Sequence, residues 1–280
     1  MIVRRILPSE ANKAKALWTE AFSDPPEFTA WYFRNRIDWT YAFGAFDGDD
    51  LISMSLGRIV RLWNGSFAVR ALFLVGVSTK IPYRNQGWMH RVVLRQLETA
   101  KGNGIPLAYL RPARTDIYRS LGFGNVLMLQ KVSVQYRQKA FDCRRSAEPS
   151  IEELFELYCK IQTRYSGMPV YTLAEFIDAV TEYAISEADC FVLRDENGTV
   201  RGFCFAENAD TDVTASLLLA DTKEAYRDLL NGVCAYYPAK TVLAEVPTDI
   251  RLEGQEIPSF QYKLLEDDLA FLPMHCVGNW

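Results

Sequence analysis

The sequence predicts an α/β (α+β) protein with mixed sheets, built as two tandem domains of the same element order. Three observations predict this. The chain has 280 residues, and at roughly 100–200 residues per domain that favours two. A meander of three strand-like runs is followed by a helix and a short buried strand, the pattern of a right-handed crossover. The same order then recurs after a polar, aperiodic stretch, "RQKAFDCRRSAEPS". The boundary is placed there, giving domains 1–138 and 139–280.

The elements follow in order. "MIVRRIL" is a short strand. Pro8 and Ser9 open the helix "SEANKAKALWTEAF", with Ser9 as its N-cap. "DPPEFTAWYFRNRI" breaks at its prolines and then resumes helical spacing. Strand-like runs at 41–46, 51–62 and 67–79 are parted by the hairpin signals "DGDD" and "NG". From Gly87 to Ala100, Met89, Val92, Val93, Leu97 and Ala100 recur at helical spacing. "GNGIP" stops that helix and "LAYL" is a buried strand. "RPARTDIYRSLGFGNV" reads as a loop, a short helix and a turn, and "VLMLQKVSVQY" as the strand that closes the first domain. In the second half, "SIEELFELYCKIQTRY" is a helix with Ser150 as cap and Glu153 three residues on, a capping-box pattern. "LAEFIDAVTEYA" is another helix, and a hairpin turns at Asn197-Gly198. "VTASLLLA" is a strand, 222–236 a helix and "TVLAEV" a strand. The letters of the two halves hardly match, so the repeat is architectural.

Composition narrows the function classes. With 49% hydrophobic and 24% charged residues the chain fills a real core, which excludes disorder. A net charge of −4 argues against nucleic acid as a partner. Cys143, Cys159, Cys190, Cys204, Cys234 and Cys276 form no C-x-x-C pair, and the only histidines are His90 and His275. No metal cluster is expected, and the cysteines read as reduced core residues of a cytoplasmic protein. The N-terminal apolar run is too short for a signal peptide. No run approaches the roughly 20 residues of a membrane span.

Chemistry concentrates between Thr79 and Gly87. This loop leaves a strand end and enters a helix, where the first N–H groups lack intrahelical partners and the helix dipole adds positive potential. A pyrophosphate fits such a site: Gly87 permits close backbone approach, and Arg84 supplies a charge-assisted bond. Taken alone, R-x-x-G before a helix serves equally as a helix start beside a surface arginine.

"VGVSTKIPYRNQG", the meander before it and the downstream "IYRSLGFG" occur together. In this combination the chain resembles the GNAT superfamily of acetyl-CoA-dependent N-acetyltransferases. The superfamily pattern Arg/Gln-x-x-Gly-x-Gly/Ala here reads Arg84-Asn85-Gln86-Gly87-Trp88-Met89. Met89 replaces the usual small residue. That departure, with "LAYLRPARTDIYRSLGFG", resembles the enhanced intracellular survival (Eis-like) branch, which has two fused GNAT-like domains and an I-Y-x-x-x-G-[YF]-G motif. The specific motifs lie between Val75 and Gly124. The resemblance implies that the backbone of Val77 and Thr79 pairs with the pantetheine arm and acetyl carbonyl of acetyl-CoA. It implies that Arg84, Asn85, Gln86, Gly87, Trp88 and Met89 bind the pyrophosphate, that Ala113 borders the cofactor and that Tyr118 is the general acid. A phenol of pKa ~10 stays protonated at neutral pH and can donate to the leaving thiolate, while backbone amides stabilise the oxyanion. The competing role for Tyr118 is a core aromatic. In full-length members of the branch a sterol-carrier-like third domain brings a terminal carboxylate to the site. Here that domain is expected to be absent, leaving a water relay as base, with the Trp280 carboxylate as the alternative and His90 as a surface or capping residue.

The second half reads "LLLADTKEAYRDLL" where a cofactor loop would stand. It has no R-x-x-G, Asp221 or Thr222 would cap the helix, and Glu224 adds negative charge in the first turn. This domain is expected not to bind coenzyme A and to form one wall of the cleft. For the acceptor, Phe22, Asp24 and Trp31 in "FSDPPEFTAWYF" suit a cationic amine through cation–π and charge contacts. Their competing roles are core packing for the aromatics and a turn for Asp24. The expected function is acetyl transfer to a primary amine of a small polycation or of lysine. The alternatives are a non-catalytic coenzyme A-binding or regulatory module and a purely structural tandem. The resemblance also suggests a homo-oligomer. A dinucleotide site is disfavoured, because "ILPSEA" stands where G-x-G-x-x-G belongs.

Overall fold

The structure, a computed structural model, describes residues 1–135 and 143–266. The expected 138/139 boundary lies outside the described residues, as do His275, Cys276 and Trp280. The fold class is the expected one, α/β with mixed sheets. The chain divides into two units, described in turn.

The first unit comprises Met1–Leu62, Ala68–Val126 and a C-terminal segment from Phe260. Its strands are β1 (Ile2–Arg5), β2 (Phe43–Asp47), β3 (Asp50–Trp63), β4 (Ala68–Thr79), β5 (Leu107–Leu110) and the C-terminal part of β12 (Gly254–Leu264). They neighbour one another in that order. β1, β2 and β3 pair antiparallel, β4 pairs parallel with β5, and β5 pairs antiparallel with 261–264. Helices α1 (Ala11–Ala21), α2 (Pro26–Asn35) and α3 (Trp88–Gly102) complete the unit. Ser9 does not cap α1. It sits in a 3-10 turn over Pro8–Glu10, and α1 starts only at Ala11. The cause is Glu10, whose carboxylate takes the Leu7 N–H (3.1 Å) and the Arg4 guanidinium (2.7 and 2.8 Å), tightening the chain after Pro8.

The apolar stripe of α3 goes where its period sends it: Val92, Val93, Leu97 and Ala100 are buried. Gln96 is buried among them and is satisfied at both ends. Its Oε1 accepts from Ser55 Oγ (2.6 Å), and its Nε2 donates to the Tyr41 carbonyl (2.6 Å). Because a buried amide is tolerated only when bonded, this pair of contacts fixes the rotation of α3 and so the place of its N-terminus.

The second unit contains α4 (Ile151–Ile161), α5 (Leu173–Ile185) and α6 (Lys223–Tyr236). Its strands are β6 (Asn125–Val134, apart from its first two residues), β7 (Cys143–Ser146), β8 (Asp189–Arg194), β9 (Val200–Asn208), β10 (Asp212–Ala220) and β11 (Thr241–Val246), with the start of β12. β8, β9 and β10 form an antiparallel meander. α6 then crosses to β11, which lies parallel to β10. This repeats the β4–α3–β5 order of the first unit.

Three expectations are corrected. β6, read as the closing strand of the first domain, pairs antiparallel with β11, from Val134↔Val242 to Gln130↔Val246. The Gln130 side chain anchors it there, accepting from Leu252 N–H (3.0 Å) and donating to the Leu252 carbonyl. The place beside β5 is filled instead by β12, which brings Phe260, Tyr262 and Leu265, all buried, into the unit. Second, the stretch read as aperiodic contains β7, paired with β8. Third, the Ser150 capping box forms by half: Ser150 Oγ accepts from Glu153 N–H (3.3 Å), but the Glu153 carboxylate turns to Arg194. The complete box is at Thr172 and Glu175. Cys190, Cys204 and Cys234 are buried free thiols as expected, and Cys143 is half-buried, whereas Cys159 is exposed. Among the described residues no helix is long and apolar enough to cross a membrane, and no group of His, Cys, Asp or Glu is placed to hold a metal ion.

Candidate active site

A cleft of ≈ 620 Å³ lies in the first unit where β4 and β5 part. Their pairing ends at Phe73↔Tyr109, yet β4 runs on to Thr79. Gly76 lies in this overhang with φ +61°, and a Cβ there would stand 2.5 Å from the Trp18 ring. Beyond it, Lys80 N–H donates to the Ile52 carbonyl on β3 (2.9 Å). Strand alternation therefore turns the polar groups of Thr79 and Val77 away from β3, toward the gap. Both residues line the cleft.

The start of α3 opens on the same cleft. Gly87 is its N-cap residue, in the left-handed region at φ +78°, and no side chain caps the helix. By contrast Ser150, Thr172 and Thr222 each cap their helices through a side-chain oxygen. The first N–H bonded to Gly87's carbonyl is that of Arg91 (3.1 Å). The amides of Trp88, Met89 and His90 find no acceptor among the described residues. Asn85, at φ +61°, precedes them in a second left-handed turn. Alternating handedness of this kind gathers backbone N–H groups into an anion-binding concavity. A Cβ on Gly87 would meet nothing within 4 Å, so here the glycine is required by its φ rather than by space.

Arg84 reaches back over the loop, where its Nε donates to the Thr79 carbonyl (3.0 Å). No carboxylate pairs with it among the described residues, so its terminal nitrogens keep their capacity for an anion. Gln86 braces the loop, donating to the Pro82 carbonyl (2.9 Å) and accepting from Trp88 Nε1 (3.4 Å); it does not line the cleft. Arg84, Asn85, Gly87, Trp88, Met89 and Ala113 do line it.

Tyr118 lines the same cleft as this helix start. It precedes a 3-10 turn, Arg119–Leu121, and packs edge-on against Phe123 with centroids 6.0 Å apart. It is both core aromatic and cleft residue: 9% exposed, within the cluster of Leu74, Val93 and Leu121, and on the cleft wall. Burial pushes its phenol up to about 12. Its hydroxyl has no hydrogen-bond partner among the described residues.

The expected acceptor wall is only partly present. Phe22 lines the cleft and stacks on Trp18 at 4.8 Å. Asp24 does not line it, because its carboxylate accepts from the Trp18 indole (2.8 Å), which secures the ring under Gly76. Trp31 packs against the core of Trp18, Tyr32 and Phe33 instead. Ser78, Tyr83, His90, Arg114 and Ile117 also line the cleft. Of these, the sequence marks only His90, and as a surface or capping residue. Arg114 sits beside Asp116 in a two-point ion pair (3.1 and 2.7 Å). The basic run "RPAR" directly after β5 was the available signal for it. Among the described residues no carboxylate lines the cleft, and its charged groups are basic.

With this geometry in view, the family model of the acetyltransferase (GNAT) domain matches residues 2–126. Over these residues the chain is similar to the GNAT acetyltransferase family. The match covers the β4 overhang, the uncapped helix and Tyr118. Two curated relatives, both uncharacterized N-acetyltransferases of Streptomyces griseus, are 27% identical over 179 residues, 60% of this chain. The matched region is 42% of those relatives' length. Among solved structures the fold matches Eis1 of Mycobacterium abscessus with a TM-score of 0.67 at 17% identity, over 95% of this chain and 74% of that one. It also matches Saccharomyces cerevisiae N-myristoyltransferase with bound myristoyl-CoA, with a TM-score of 0.65 at 10% identity, over 99% and 83%. The chain thus shares its fold with the Eis1 structure, as the motifs between Val75 and Gly124 lead one to expect.

Proposed function

We propose that this chain is an acetyl-CoA-dependent N-acetyltransferase acting on a primary amine, of a small polycation or of lysine. The observation that carries the proposal is that the uncapped α3 N-terminus, the overhang of β4 and Tyr118 all line one cleft. The pyrophosphate is held by the amides from Gly87 onward and by the terminal nitrogens of Arg84. The thioester lies along the β4 overhang, where the Val77 and Thr79 backbone pairs with the pantetheine arm and polarises the acetyl carbonyl. The amine nitrogen attacks that carbonyl carbon, the C–S bond breaks, and Tyr118 gives its proton to the departing sulfur. Water takes the proton released by the amine. Tyr118 regains its own from solvent.

A buried phenol held above its ordinary pKa suits a group that must arrive at each turnover protonated. The basic wall of the cleft suits the phosphates rather than an ammonium group. The acceptor therefore meets aromatic and aliphatic surface at Phe22 and Ile117 and reacts as the neutral amine. In the second unit, Thr222 Oγ1 takes the Ala225 N–H (3.1 Å) at the corresponding helix start, which supports a single cofactor site per chain. The test is thiol release from acetyl-CoA with a panel of polyamines, aminoglycosides and lysine peptides. Amine-dependent release supports the proposal. Binding of acetyl-CoA without amine-dependent release would assign the chain to the non-catalytic coenzyme A-binding class.

A further inference from the structure

The loop that carries Tyr118 has little structure of its own. Between the end of β5 and the start of β6 it makes one 3-10 turn, in which the Leu121 and Phe123 N–H groups donate to the Tyr118 carbonyl (3.0 and 3.3 Å). A general acid on such a loop needs outside support, since an error of about 1 Å in its place can cost on the order of a hundredfold in rate.

We propose that Gln261 and Lys263, on the last strand, are positioning residues that hold Tyr118 over the cleft; this rests on the acetyltransferase assignment of Tyr118. Gln261 Nε2 donates to the Thr115 carbonyl (2.9 Å), and Lys263 Nζ donates to the Leu121 carbonyl (2.8 Å). Thr115 and Leu121 stand three residues before and three residues after Tyr118. The two clamps thus bracket the tyrosine. They alternate on one strand, so both side chains leave the same face of β12. That strand is registered on β5, Gln261 opposite Leu110 and Lys263 opposite Ala108, and β5 feeds the loop. Loop and clamps therefore share one frame.

Two features separate this from ordinary packing. Gln261 is 3% exposed, and its Oε1 is buried without a donor among the described residues. An aliphatic side chain would fill that place without leaving an acceptor unmet, so the amide is present for its one bond to Thr115. Lys263 has no carboxylate partner among the described residues and directs its ammonium at a carbonyl. Its stem lies over Gly122, where a Cβ would stand 3.2 Å from Nζ. Gly122 has φ +85° and forms the turn that follows Tyr118.

The experiment compares Lys263→Met and Gln261→Leu with the wild type in the full chain, with Lys263→Arg as the conservative control. The expected result is a ten- to hundredfold loss of kcat, with the acetyl-CoA KM unchanged within about twofold, because the cradle at 84–89 is on other elements. Lys263→Arg, which can still donate to the Leu121 carbonyl, restores most of the loss. Amide exchange read by mass spectrometry gives an arm independent of activity: the 118–123 segment exchanges about tenfold faster in both loss variants, while α3 does not change. Unaltered exchange at 118–123, or equal acceleration in α3, overturns the proposal. If the wild type shows no amine-dependent thiol release, the acetyltransferase assignment fails, and the exchange arm still decides whether the two side chains hold the loop.

Discussion

Replacing Tyr118 by phenylalanine separates the two roles this residue combines. Its ring fills space beside Leu74, Val93 and Phe123, and the residue lines the cleft. Deleting the hydroxyl leaves the ring in place and orphans no partner, since none bonds to it among the described residues. The stability change at neutral pH is therefore small, within roughly 0.5 kcal/mol. The catalytic loss is large: a positioned general acid is worth about 10²–10⁴-fold, or ~3–5 kcal/mol of barrier at ~1.4 kcal/mol per tenfold. Alkaline pH adds an independent check. The folded phenol is raised to about 12, above its unfolded value of ~10. Its contribution to stability is fully present below pH ~10 and is lost as pH rises toward 12, on the order of 3 kcal/mol in all. The phenylalanine variant lacks that loss. The assay is steady-state thiol release at pH 7–8, with urea unfolding at pH 8 and 11. Unchanged kcat would refute the acid assignment. An equal loss of kcat and of stability at pH 8 would reduce Tyr118 to a packing residue.

Further outcomes follow from the same geometry. Gly87→Ala forces a Cβ into the left-handed region, costing about 1–2 kcal/mol locally; calorimetry should show acetyl-CoA binding about tenfold weaker, and unchanged affinity would separate the cradle from the ligand. Thr222→Ala removes a helix cap worth ~1 kcal/mol, so the melting temperature should fall while acetyl-CoA binding stays constant. Arg4 and a backbone amide hold Glu10 well below its ordinary range, at about 2. The stability this adds is present above pH ~4.5 and is lost as pH falls toward 2, so Arg4→Met should flatten acid unfolding over that window. A fragment of residues 1–138 lacks the strand that covers β5 and should fail to give a cooperative melt by circular dichroism.

Local pattern was enough for the parts of the site that are local. The period of Val92, Val93, Leu97 and Ala100 gave α3 its buried face, and the contrast between Gly87 and Thr222 at two helix starts distinguished an open N-terminus from a closed one. Long-range pairing was not legible. Neighbouring strands pair only about two-thirds of the time, and nothing in "VLMLQKVSVQY" shows that Gln130 will be anchored by Leu252 rather than lie beside β5. The run containing Pro258 and Ser259 has no clean alternation, so β12 and its clamps on the Tyr118 loop escaped notice. Asp24 lies outside the cleft for a related reason: its partner, the Trp18 indole, is six residues earlier on α1, and only the fold brings them to 2.8 Å.

The central claim is that one coenzyme A cradle, at the uncapped start of α3, serves the chain. Titration calorimetry with acetyl-CoA on the wild type and on Arg84→Glu tests it most directly. The account predicts one site per chain in the wild type and binding at least tenfold weaker in the variant, where a carboxylate replaces the cation beside the pyrophosphate. Two sites per chain, or undiminished binding by Arg84→Glu, would contradict it.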